Sequence, residues 1–153
     1  MINESISIKM YENVRLNDNY HIIDSKDTDT YNCIAWSLGY TDKTIWPVKD
    51  DIRWIWPNDI PYNTSRESFL ELYRREEFII CDNPYHLNQF YDVVALYMKK
   101  YINVFHITHA AKLISNNGYW SSKMGRNELA HHTLEAIEGK ILGNEYTFLK
   151  RRK

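Results

Sequence analysis

The sequence predicts an α+β domain, with short helices packed on a mostly antiparallel sheet. Two observations carry this. A short apolar stretch at 32–38 stopped by Gly39 and apolar residues at helical spacing over 65–76 read as helices, and the period then switches to the alternating spacing of strands. The run Ser115-Asn116-Asn117-Gly118 is a hairpin turn between two of the alternating segments, so at least part of the sheet is antiparallel.

The elements follow in order. Residues 1–28 read as mostly irregular, with short strands at 5–10 and 20–24. A first helix is expected over 32–38, entered from the polar cluster Asp27-Thr28-Asp29-Thr30 and stopped by Gly39. Residues 40–63 hold three of the four prolines and three of the five tryptophans, and proline restricts the backbone and removes donors. The segment reads as an ordered aromatic loop. Thr64-Ser65-Arg66-Glu67 fits a capping box, and Phe69, Leu70, Leu72 and Tyr73 follow at helical spacing, giving a helix over 65–76. Strands are expected at 78–81, 92–99, 103–114, 119–123 and 145–150. A late helix over 128–138 ends at Gly139.

The 153 residues suit a single domain spanning 1–153, without repeats or a Pro/Gly linker. A net charge of −1 gives no basic field, which argues against nucleic acid. The run Lys150-Arg151-Arg152-Lys153 reads as a solvated end. No apolar run is long enough to span a membrane and no leader pattern opens the chain, so the expectation is a cytoplasmic protein with no membrane partner, non-classical export aside. Two cysteines, Cys33 and Cys81, do not make a disulfide scaffold, and Cys81 reads as a small buried hydrophobe.

Cys33 is the chief chemical candidate. It falls in the first turn of the expected helix, where unpaired N–H groups and the helix dipole favour a thiolate, the nucleophilic form of cysteine. Asn32 before it could cap the helix, donate to an oxyanion or shape the turn. Among the six histidines, His109 stands out as a base. In a regular strand Phe105, Ile107, His109, Ala111 and Leu113 share one face, leaving His109 as the single polar group of a core-facing row. Its ordinary role would be a core histidine; its functional role would be an imidazole aimed at the Cys33 helix. A third group could orient that ring: Ser122 or Ser121 on the neighbouring strand, or Glu128, His131 or His132 beyond it. His106 and His109 diverge on a strand and there is no CxxC or HExxH, so neither a metal nor a cofactor is expected.

Three blocks together resemble a family of uncharacterised bacterial domains: Tyr31-Asn32-Cys33-Ile34-Ala35-Trp36 followed by Trp-Pro pairs, then Thr108-His109-Ala110-Ala111 with Trp120-Ser121-Ser122-Lys123-Met124-Gly125, then His131 with Leu134–Gly139. Their order is similar to compact papain-like hydrolases of the NlpC/P60 kind. That resemblance implies a papain-like fold in which an N-terminal helix carrying cysteine packs on the sheet. It also implies Cys33 as nucleophile, His109 as base and Ser122, or Ser121, as orienter. The third position carries none of the residues usual there.

The leading expectation is therefore a cysteine-dependent amide-bond enzyme: peptidase, amidase, deamidase or acyl transferase acting through a thioester. Trp46, Trp54 and Trp56 would border its substrate cleft. The small size fits a toxin or effector module acting on a protein or peptide, with a cognate inhibitor protein as a second partner. The alternative is a non-enzymatic protein-binding module that uses the tryptophan loop, since Tyr and Trp are favoured at interfaces.

Overall fold

The structure, a computed structural model, describes residues 19–153. The strand expected at 5–10 lies outside the described residues. Among those described, seven strands form one sheet in the order β1-β6-β5-β4-β3-β7-β2. They are β1 (Tyr20–Asp24), β2 (Ile79–Cys81), β3 (Tyr91–Tyr101), β4 (Val104–Leu113), β5 (Trp120–Lys123), β6 (Leu129–His132) and β7 (Glu145–Arg152). Every pairing between them is antiparallel. Two helices accompany the sheet, α1 (Cys33–Leu38) and α2 (Arg66–Arg75).

This architecture overturns the papain-like α+β expectation. The fold is nearly all β, and β1 precedes the cysteine helix. The late helix is also absent: its first half is β6 and its remainder a short 3-10 turn at Glu135–Ile137. Leu129–His132 tolerates helix, but β6 lies between β1 and β5 and bonds to both, and that ladder outweighs local propensity.

The two sheet faces carry separate cores. On one, α1, α2 and the loop 40–63 cover Val94, Leu96, Met98, Ile107 and Ala110, with Phe69 wedged edge-on between Trp46 and Trp56. On the other, Tyr97, Trp120, Met124 and Ala130 pack with Leu134, Ile137 and Leu142 of the segment that crosses behind the sheet. The Tyr97 hydroxyl donates to the Leu134 carbonyl at 2.8 Å, fastening that segment.

Helix starts follow their caps. The Asn32 side chain accepts from Ala35 N–H, and Gly39 closes α1 in the left-handed region at φ 96°. Ser65 caps α2 by accepting from Ser68 N–H, one residue later than a box beginning at Thr64 would place it.

One irregularity decides the geometry of the candidate site. Tyr97 pairs with His109 and Met98 with Ile107, so Thr108 is an extra residue, a β-bulge in β4. Its hydroxyl donates to the Leu142 carbonyl at 2.6 Å. The bulge reverses the alternation: Ile107 belongs to the helix-side core, whereas Ala111 and Leu113 belong to the opposite one.

Candidate functional site

The residues expected to form one site are divided between the two faces. Cys33 is buried in the helix-side core at the start of α1. His109 is paired across the sheet with Tyr97, whose ring it meets edge-on with centroids 5.5 Å apart, on the face away from α1. The expected Cys33–His109 pair is therefore not formed. A row that includes both Ile107 and His109 requires a regular strand, and Thr108 breaks it.

Electrostatics agree with this separation. Burial pushes the Cys33 thiol up to about 11, against backbone hydrogen bonds from Ala110, Ile34 and Cys33 itself and the positive charge of Lys123. A shift in that direction favours the protonated thiol over the nucleophilic thiolate. Burial, followed by the neighbouring His132, pushes His109 down to about 3. Neither of its ring nitrogens has a hydrogen-bond partner among the described residues.

Ser122 does hold a histidine, but it is His132. The Ser122 hydroxyl bonds to His132 Nε2, while Nδ1–H donates to the Thr133 carbonyl at 2.8 Å. Burial takes His132 down to about 4, with the Thr133 carbonyl opposing. Ser122, His132 and His109 are all fully buried. Ser121 instead accepts from Trp36 Nε1 at 3.1 Å on the helix side. Glu128 accepts from the Tyr20 hydroxyl at 2.5 Å, and burial raises its carboxyl. His131 lies opposite His21, and burial lowers it.

Asn32 is a structural hub. Its Oδ1 accepts from Ala35 N–H and Ile45 N–H, both at 3.1 Å, and its Nδ2 donates to the Ile45 carbonyl at 2.7 Å. Those bonds cap α1 and tie the tryptophan loop to it, using both roles of the side-chain amide and one of its two N–H donors.

That loop does build a cleft, of about 570 Å³, over the start of α1. Tyr31, Trp46, Trp54, Ile52 and Ile55 supply apolar wall, and Asn32 and Cys33 the floor. The rim is of mixed sign, with Asp29, Asp42, Lys43, Arg53 and Arg126. Trp56 does not line it: its Nε1 donates to the Ile60 and Pro61 carbonyls, both at 3.3 Å, beneath the loop.

A family model described as a domain of unknown function matches residues 22–150, nearly all of the described chain. The chain belongs to the DUF7689 family. No curated protein and no solved structure matches it.

Sequence reasoning about this DUF7689 domain missed Lys123. Alternation in β5 sends Trp120 and Ser122 to one face and Ser121 and Lys123 to the other, towards Cys33 and Tyr31. Lys123 is 1 % exposed, and its ammonium donates to the carbonyls of Thr28, Gly125 and Asn127 at 2.8–2.9 Å. It also lies 5.3 Å above the Tyr31 ring. Burial lowers it to about 8, with Asp27, Cys33 and Asp29 opposing. The signal was a charged residue on the core side of a short strand. Cys81, expected to be buried, is half-buried on β2, and both cysteines are free. Among the described residues no three His, Cys, Asp or Glu side chains converge as a metal site, and no helix is long and apolar enough to cross a membrane.

Proposed function

We propose that this domain is a binding module whose recognition site is the tryptophan-loop cleft, taking an apolar or aromatic side chain of a protein partner. The observation that carries this reading is the cleft itself: aromatic and aliphatic walls, a polar rim of both signs, and fully exposed Ile52 at its lip. Apolar pockets with a few polar groups at the edge are the usual form of such sites. A mixed-sign rim suits a protein surface better than a polyanion.

Panning a random peptide library against the intact chain tests it. Selected peptides are expected to carry an apolar anchor, and Trp54→Ala is expected to weaken them by about 30-fold, as for a central aromatic contact. Ile52→Asp, at a position with nothing to unpack, should weaken them without changing the melting temperature. Peptides that bind both variants as well as wild type would place recognition elsewhere.

The amide-bond reading keeps one observation in its favour: Cys33 lines the same cleft, close enough to Lys123 for the cation to favour its thiolate. Iodoacetamide labelling of Cys33 against pH separates the two. The binding reading expects slow labelling at neutral pH, rising only towards the thiol value of about 11. An inflection near pH 7 would return catalysis to first place.

A further inference from the structure

The turn between β3 and β4 consists of Ile102 and Asn103, both at positive φ, 48° and 61°. Such a two-residue hairpin turn favours Asn-Gly or Asp-Gly, because a branched Cβ is strained in the left-handed region. Ile102 is also 76 % exposed, so the strain is not offset by packing. Tyr101 at 68 % and Val104 at 41 % stand open beside it. Sterics and water both disfavour this side chain here, which is the expected state of a residue kept for contact with something else.

Charge indicates the contact. Between Asp92 and Glu128 the chain carries no Asp or Glu, although it has 20 of them in all. Lys99 and Lys100 stand at the base of the tip, Lys99 leaning to the Lys140 carbonyl and Lys100 over the Phe105 ring at 5.6 Å. Glu135, Glu138 and Glu145 line a shallow depression on the flank together with Lys99, Lys100 and Lys140, so no carboxylate belongs to the turn itself. Beyond Lys100 each strand projects about two residues, or roughly 7 Å. That matches the roughly 5–10 Å to which interfacial segments enter the headgroup and acyl boundary. A convex tip offers no concave shape to a rigid partner, but a fluid surface requires none.

We propose that the β3–β4 tip docks on anionic lipid surfaces, inserting Tyr101, Ile102 and Val104 while Lys99 and Lys100 meet the headgroups. Two lysines near such a surface are worth roughly 30-fold in partitioning.

The test is co-sedimentation of the intact chain with phosphatidylcholine vesicles, with and without phosphatidylserine. Wild type is expected to pellet with the phosphatidylserine vesicles only, and less so as salt rises. Ile102→Asp, which tolerates the left-handed turn, should reduce binding at least tenfold. Ile102→Gly should do likewise while raising the melting temperature by a few degrees, since relief of turn strain and loss of a contact surface then separate. Equal partitioning to neutral vesicles, no pelleting with phosphatidylserine, or full binding by Ile102→Asp would overturn the proposal. The last outcome would assign the binding to the Lys150–Lys153 run.

Discussion

Lys123→Met is expected to destabilise the domain by about 3 kcal/mol, or on the order of 10 °C in melting temperature. Methionine keeps most of the buried stem but leaves the carbonyls of Thr28, Gly125 and Asn127 without their shared donor. An orphaned buried carbonyl costs about 1–3 kcal/mol. Three acceptors require three hydrogens, so the ammonium is the form held at neutral pH despite its lowered value. Lys123→Arg should also fail, because a planar guanidinium cannot direct three N–H groups from one nitrogen to three carbonyls arranged around it. Thr28 precedes Asp29, Thr30 and Tyr31, which line the cleft, so the same change should also weaken peptide binding. A urea melt of Lys123→Met that superimposes on wild type would show that the carbonyls find other donors and that the contact is dispensable.

The second large effect is acid unfolding driven by the two histidines behind the sheet. His109 and His132 have folded values near 3 and 4, below the ordinary 6.5. For bases with depressed values, the stabilisation is present above pH 6.5 and is lost as pH falls towards the folded values, because the unfolded chain binds the protons first. By pH 4 the loss is on the order of 6 kcal/mol, comparable with the whole stability of a domain this size. Unfolding is therefore expected between about pH 5 and 4. His109→Leu should be neutral or stabilising at pH 7, since it removes two buried nitrogens that have no partner among the described residues. It should also lower the acid midpoint and reduce the pH slope by about one proton. Urea titrations at a series of pH values measure both. An unchanged slope in His109→Leu would mean that His109 does not titrate during unfolding.

What could be read from the sequence was what is decided locally. Asn32 with Gly39, and Ser65 before Phe69, mark their helices because caps and stops act within one turn. The hairpin at 115–118 follows from its own turn residues, and the tryptophan loop does build a cleft. What could not be read depends on distant partners. Leu129–His132 is a strand because β1 and β5 lie on either side of it. The bulge at Thr108 has no glycine to announce it and exists only in register with Tyr97 and Met98. That one extra residue moved His109 to the other side of the sheet from Cys33, and with it the base on which the enzyme reading depended.

The strand order also has a consequence for synthesis. β7 lies between β3 and β2, and β3 carries the apolar run Val93–Met98 that serves both cores. A nascent chain can close the β3–β4 hairpin early, but one flank of β3 stays unpaired until residues 145–152 have been made. During that interval the apolar run of β3 is an open template for pairing with other chains. β7 is the keystone: the sheet cannot be completed one strand at a time from the N-terminus, and any ribosomal pause before Glu145 prolongs the exposure.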